Sequence, residues 1–248
     1  MGDGMKTYSF NVNSFEVKAK YHERDISDIF VPLILRLDEM RQNAGRRIVV
    51  YLAGPCGAGK TTMSLLLESL APAYAKSAAQ AVGMDGFHYK SEYLKSNYIK
   101  KDGGEILMQN VKGSAETYDF EKLREKIAAL KTGDVYWPGY DRLMHDVVED
   151  AVFVCGQIVI IEGNWLLLDE PRWRGLIRFC DYSIFIGAAE KILIRRLTER
   201  KIMGGMGERE AIDFVMRSDA ENIGRILGRR AKCDLELQMA ENGRFAVK

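Results

Sequence analysis

The chain has 248 residues and a formal net charge of +1, with 36 basic side chains against 35 acidic ones. That balance supplies no argument for a nucleic-acid or membrane partner, and no uninterrupted apolar segment is long enough to cross a bilayer. Hydrophobic residues make up 47% and charged residues 29%, as in one folded α/β domain with insertions or one domain plus an accessory piece. Residues 1–5 read as an unstructured start. Residues 7–12 and 14–21 alternate polar and apolar side chains, with Asn11 and Asn13 near a turn, which predicts a small β-hairpin. A helix follows, capped by Asp25 or Ser27, with Leu33, Ile34, Leu37 and Met40 apolar, Pro32 in its first turns and Gly45 at its end. Residues 1–45 thus form a hairpin and helix packed on a main domain over residues 46–248.

Residues 47–53 are a β-branched, apolar run of strand length. Gly54-Pro55-Cys56-Gly57-Ala58-Gly59-Lys60-Thr61-Thr62 comes next and reads G-x-x-x-x-G-K-T, the phosphate-binding loop pattern. The helix-forming run Met63-Ser64-Leu65-Leu66-Leu67-Glu68-Ser69-Leu70 follows. Glycines let successive N–H groups aim at a polyphosphate, and the helix N-terminus adds its positive end. These nine residues are therefore the expected ATP-binding set. Lys60 is expected to reach the β- and γ-phosphates and Thr61 to ligate Mg²⁺. The alternative, a chance glycine-rich turn, is disfavoured by the strand before the loop and the helix after it.

Ala71-Pro72 is expected to break the helix. Residues 78–84 predict a second buried parallel strand that ends at Asp85-Gly86-Phe87-His88. Ligands bind at the carboxyl ends of such strands, which marks Asp85 and His88, although Asp85 as a plain turn cap is the competing reading. Residues 91–113 are polar, aromatic and lysine-rich. They predict a partly helical surface insertion whose basic residues read most simply as a solvated face, with an anionic substrate as the alternative. Asp119 caps an amphipathic helix through Phe120, Leu123, Ile127 and Leu130, stopped by Gly133. The aromatic and ionisable stretch 136–146 is read as a loop, either a substrate wall or a packed turn.

Residues 152–154 read as a short strand. Residues 158–163 are a continuous apolar run ending in Glu162-Gly163, a buried parallel strand with an acid at its carboxyl end, where a Mg²⁺-holding carboxylate belongs. Residues 181–187 are a further strand. A helix over 189–201 carries Arg195, Arg196 and Arg200. Gly204-Gly205-Met206-Gly207 separates it from helical stretches at 208–216 and 219–227, an arrangement fit for a mobile lid near 189–216 or for a solvated helical hairpin. Residues 235–239 and 245–247 flank Asn242-Gly243 as a terminal hairpin. Cys56, Cys155, Cys180 and Cys233 have no metal-ligand spacing, and reduced thiols of a cytoplasmic protein are the simplest reading.

From about Arg46 to Asp234 the chain resembles the phosphoribulokinase, uridine kinase and pantothenate kinase family of P-loop kinases. The likeness is carried by the phosphate loop, Met84-Asp85-Gly86-Phe87-His88, Ser114-Ala115-Glu116-Thr117-Tyr118-Asp119, Tyr140-Asp141-Arg142, the run Ile161-Glu162-Gly163-Asn164-Trp165 and the arginine helix. Arg200-Lys201 with Gly204-Gly205, Ser218-Asp219 and Asn222 is similar to bacterial members labelled fructose transport system kinases. The resemblance implies a P-loop NTPase-type parallel sheet of about five strands flanked by helices, with a helical lid. It implies transfer of the γ-phosphoryl of ATP to a hydroxyl of a small metabolite: sugar, nucleoside or pantothenate-like alcohol. Asp85 is then the catalytic base. The resemblance further implies that Arg200 binds phosphate from the lid and that Tyr140 and His145 contact the acceptor. The residues themselves add Lys60 on the transferring group, Thr61 and Glu162 for Mg²⁺, and His88 and Arg142 as further acceptor candidates. Two departures weaken a nucleoside assignment. Met203-Gly204-Gly205-Met206 stands where the nucleoside-kinase lid has Arg-Gly, and Gly86 stands where uridine kinases usually carry Ser. A nucleotide-dependent regulatory NTPase acting on a protein partner is the second reading. The oligomeric state is open, a homodimer included.

Overall fold

The computed structural model describes residues 4–12, 15–101 and 103–248. Polar–apolar alternation folds β1 (Met5–Val12) antiparallel to β2 (Phe15–His22). The turn expected at Asn13 and the first three residues lie outside the described residues. The unstructured start reaches less far than expected, since Met5 already pairs with His22.

One helical turn over Glu23–Asp25 and a π-turn over Ile26–Phe30 lead into α1 (Val31–Ala44). Neither expected cap acts as one. Asp25 is buried and accepts the Nε–H of Arg244 at 2.7 Å and the N–H of Phe245 at 2.9 Å, tying down the chain's last strand. The Ser27 hydroxyl donates to the Arg24 carbonyl at 3.2 Å. A buried carboxylate takes the strongest donors in reach, and a guanidinium outranks an exposed helix start. Gly45 ends α1 in the left-handed conformation, as expected.

The remaining elements are β3 (Ile48–Ala53), α2 (Lys60–Tyr74), β4 (Ala79–Gly83), α3 (Ser91–Ser96), β5 (Tyr98–Lys101), β6 (Gly104–Leu107), α4 (Phe120–Leu130), β7 (Val135–Asp141), β8 (Asp146–Val154), β9 (Ile158–Gly163), β10 (Tyr182–Ala188), α5 (Glu190–Met203), α6 (Glu208–Phe214), α7 (Ala220–Gly228), β11 (Leu235–Met239) and β12 (Phe245–Val247). The main sheet has the order β12-β11-β10-β3-β9-β4. Five strands are parallel and β12 runs antiparallel at one edge. β3 and β9 are buried at every residue, which is why both read as unbroken apolar runs. The pleat of β3 sends Ile48, Val50 and Leu52 into a core with α1, α2 and α5, and Val49, Tyr51 and Ala53 into a second core with α4, Trp137 and Trp165.

Five expectations need correction. α2 continues through Pro72, because a proline in the last turn removes a single hydrogen bond while Leu70 and Ala71 stay buried. β4 is an edge strand beside β9 and only half buried. Residues 91–113 hold a hairpin, β5–β6, as well as a helix. Residues 136–146 are no irregular loop: β7 and β8 pair from Val135–Val154 to Asp141–Asp146, with a register shift between Trp137 and Gly139 that absorbs Pro138. A π-turn, Val215–Asp219, joins α6 to α7 where a break was expected.

Candidate active site

The phosphate loop leaves β3 at Gly54 and enters α2 at Lys60. Gly57 and Gly59 have φ of 83° and 89°, which a side chain would oppose. A Cβ on Gly54 would stand 2.4 Å from the Ile186 carbonyl oxygen of β10, so the loop packs backbone to backbone on that strand. Lys60 is buried, and its Nζ donates to the Pro55 carbonyl at 3.0 Å and to Asn164 Oδ1 at 2.6 Å. Asn164 Nδ2 donates in turn to Cys56 Sγ at 3.1 Å. The Thr61 hydroxyl donates to Glu162 Oε1 at 2.7 Å, across from the carboxyl end of β9. Burial lifts the Glu162 pKa; Lys60 opposes that lift and the charge of Asp85 adds to it.

Asp85 lies in a 3₁₀ turn, Met84–Phe87, at the end of β4, two strands from β3. The turn is clamped from both sides. The Asp119 N–H donates to the Phe87 carbonyl at 2.7 Å and the Tyr89 N–H to the Thr117 carbonyl at 3.0 Å. Trp137 of β7 donates its Nε1–H to the Gly83 carbonyl at 2.8 Å and meets Phe87 edge-on at 4.8 Å. A Cβ at Gly86 would lie 2.1 Å from the Pro138 carbonyl oxygen, so this chain has room only for glycine where a serine was the comparison. The Tyr118 hydroxyl donates to Asp85 Oδ1 at 3.2 Å. Burial, then the Asp85 charge, drives the Tyr118 pKa far up, so this phenol stays a donor.

His88 stacks on Tyr118 at 3.8 Å, with Tyr140 at 5.9 Å. Burial pushes its pKa down to about 4 against the pull of Asp85, leaving a neutral imidazole at neutral pH. Tyr140 accepts from Lys112 Nζ at 2.8 Å, and burial lifts its own pKa to about 12. Arg142 is half-exposed, and its positive charge acts on Glu162 and Tyr140. The fourth acceptor candidate differs from these. The His145 side chain is exposed on the hairpin turn, and its carbonyl accepts from Ser91 Oγ at 2.9 Å and Lys112 Nζ at 3.0 Å.

The three arginines of α5 separate by environment. Arg195 pairs with Glu241 at 3.1 Å and Glu199 at 3.9 Å on the surface. Arg196 Nη2 comes within 3.9 Å of where a Gly59 Cβ would be, and Nη1 donates to Met239 Sδ at 2.8 Å. Arg200 is exposed, has no ion pair among the described residues, and its charge acts on Cys56 and Asp219. Asp219 Oδ2 is buried and lacks a hydrogen-bond partner among the described residues.

Nothing in the sequence alone names Lys112, and Asn164, Tyr118 and Arg196 stand there only as members of longer runs, without a role of their own. Asn164 carried a faint signal, two residues after Glu162 at a strand end. Lys112 carried none, and nothing local joined Tyr118 to Asp85, because their partners lie 28 and 33 residues away in the chain.

Comparison with known proteins identifies the family of the chain. The chain is 39% identical over 236 residues to the uncharacterised protein YggC of Escherichia coli, covering 94% of this chain and 96% of that protein. It is 28% identical to a pantothenate kinase of Lactococcus lactis over 71% of this chain and 62% of that enzyme. A solved structure labelled a fructose transport system kinase, from Silicibacter sp. TM1040, superposes with a TM-score of 0.72 at 30% identity, covering 82% of this chain and 98% of that one. Among the described residues no helix is long and apolar enough to cross a membrane. Residues 49–216, more than half of the chain, match the Phosphoribulokinase / Uridine kinase family model, and the chain belongs to that family of small-molecule P-loop kinases.

Proposed function

We propose that this chain is a cytoplasmic, Mg²⁺-dependent kinase that moves the γ-phosphoryl group of ATP to a hydroxyl of a small metabolite. One observation carries the reading. A carboxylate held by the Tyr118 hydroxyl at 3.2 Å ends the strand two places from the phosphate-loop strand, with a second polar surface of His88 and Tyr140 beside it. A nucleotide switch acting on a protein needs the phosphate loop but has no use for that second surface.

Asp85 orients the acceptor hydroxyl and takes its proton as the new O–P bond forms. The bond from the γ-phosphorus to its bridging oxygen breaks, and ADP leaves. Lys60, now on the Pro55 carbonyl and Asn164, moves onto the phosphates when they arrive. Arg200, and Arg196 beside Gly59, supply positive charge from the lid side. His88, Tyr140, Arg142 and His145 are the acceptor-side set, His145 through its carbonyl contacts.

The donor set suits magnesium. Thr61 Oγ1 and Glu162 Oε1, 2.7 Å apart, are hard oxygens, and an octahedral ion takes one or two such ligands and completes its shell with phosphate and water. Bound there, Mg²⁺ would neutralise charge on the β- and γ-phosphates. The division we favour keeps residues 1–45 as an accessory layer on a kinase domain over 46–248, with a lid near 189–216. The Tyr21 hydroxyl donates to Thr62 Oγ1 at 3.1 Å, joining that layer to the phosphate-loop helix.

The test is ADP release over a panel of hydroxylated metabolites. Turnover that depends on an acceptor and yields its phosphate ester supports the kinase. Turnover indifferent to every acceptor but raised by a protein partner supports the regulatory NTPase instead.

A further inference from the structure

Four cations gather around the acceptor surface. Lys90, Lys95, Lys112 and Arg142 have no ion pair among the described residues, and Arg142 has no hydrogen bond either. Other half-buried cations of the chain do meet a carboxylate: Arg225 pairs with Glu116 and Glu170, Lys131 with Asp181, and Lys122 with Glu149. The hairpin's Asp146 attracts Lys112 and Lys90 but lies within ion-pair distance of neither. Asp146 Oδ1 is engaged by the N–H groups of Ser91 at 3.0 Å and Val147 at 2.9 Å. Asp141 Oδ1 is engaged by those of Leu143 at 2.7 Å and Met144 at 2.9 Å.

Lys112 is the telling member. It is half-buried, and its ammonium touches only neutral oxygens, the Tyr140 hydroxyl at 2.8 Å and the His145 carbonyl at 3.0 Å. Burial lowers its pKa, with Asp146 and Asp85 pulling the other way from beyond ion-pair distance. A partly desolvated cation without a carboxylate is costly unless a ligand supplies the opposite charge. Arg142, two residues beyond Tyr140, offers a planar fork that matches a carboxylate or a phosphate.

We propose that the acceptor is an anionic alcohol, with its hydroxyl at Asp85 and a carboxylate or phosphate monoester held between Lys112 and Arg142. The assignment rests on the kinase reading and adds the substrate class to it. Neutral sugars and nucleosides would leave both cations unpaired in the complex. The anionic group is a handle only: the O–P bond forms at the hydroxyl, whose proton goes to Asp85, and the products are ADP and an ester that still carries the carboxylate or phosphate. Lys90 and Lys95 are exposed and draw the acceptor in by charge, an effect that salt screens.

The experiment measures ADP release by the full chain with MgATP and four acceptor classes: hydroxy carboxylates, sugar phosphates, neutral polyols and nucleosides. The expected result is turnover with one of the two anionic classes, which also decides between carboxylate and phosphate. Lys112→Met and Arg142→Gln should each raise the acceptor KM about tenfold or more while leaving the ATP KM within about twofold, and Arg142→Lys should recover part of the loss. Rising ionic strength should lower the wild-type kcat/KM for the acceptor severalfold, a readout that needs no variant to fold. Preferential turnover of neutral acceptors, or an acceptor KM unmoved by both substitutions, overturns the anionic class and leaves the kinase standing. ATP turnover that no acceptor stimulates overturns both.

Discussion

The nucleotide half and the acceptor half of this site are built differently. The phosphate loop is one run of nine residues whose backbone, glycines and helix start do the work, with Glu162 and Asn164 added from the neighbouring strand end. The acceptor half is drawn from the Asp85 turn, the segment carrying Lys112 and Tyr118, and the β7–β8 hairpin, joined by contacts between residues far apart in the chain. Anion binding by backbone N–H groups tolerates a compact local motif, whereas recognition of a particular alcohol needs side chains converging from several directions. The two halves should therefore fail differently when broken.

The largest effect is expected where the halves meet. Asp85→Asn keeps the shape and the Tyr118 contact but cannot take a proton. ATP affinity should stay near wild type while the single-turnover rate falls on the order of 10²–10⁴-fold. Loss of ATP binding with an unchanged chemical rate would make Asp85 a magnesium ligand, and no change in either would make it a turn cap.

Within the nucleotide half, Lys60→Ala should cut kcat roughly 10²–10³-fold with an intact circular dichroism spectrum, since one charge on the developing transition state is lost. Arg200→Ala should lower kcat more than it weakens ATP binding. Equal activity of that variant and wild type would place Arg200 in the solvent.

Gly86→Ser separates the halves by packing. The new Cβ has to displace the Pro138 carbonyl, 2.1 Å from its ideal position, and an overpacked contact of this kind costs about 1–3 kcal/mol. Urea denaturation should show that loss, and the acceptor KM should rise while ADP affinity holds. Wild-type stability would mean that the hairpin can back away from the Asp85 turn.

The smallest effect is a pH slope from His88. Its folded pKa of about 4 lies below the ordinary value near 6.5. Between those two pH values the unfolded chain binds a proton that the folded chain does not, so stability falls as pH drops through the window and is fully present above it. His88→Gln should remove that one-proton component from the pH dependence of the unfolding free energy. An unaltered slope would mean that His88 protonates in the fold as freely as in water.

The parts of this protein that were legible in the sequence are those whose physics is local. The phosphate loop announces itself because glycines, a lysine and a hydroxyl at fixed spacing serve one backbone geometry. β3 and β9 announce themselves because strands buried on both faces admit only apolar residues. The Asp119 cap was legible for the same reason, its carboxylate accepting the Lys122 N–H three residues on, at 3.1 Å. Tertiary structure decided the rest. Asp25 looked like a cap and became the buried anchor of Arg244, some two hundred residues away, because desolvation favoured the guanidinium. The stretch around Trp137 looked like a loop because Pro138 and Gly139 are turn formers, yet pairing with β8 and packing against the Asp85 turn made it a strand. Which of the many lysines faces the acceptor could not be read from spacing at all. Lys112 is set apart by burial and by its contacts with Tyr140 and His145, which exist only once the hairpin has folded over it.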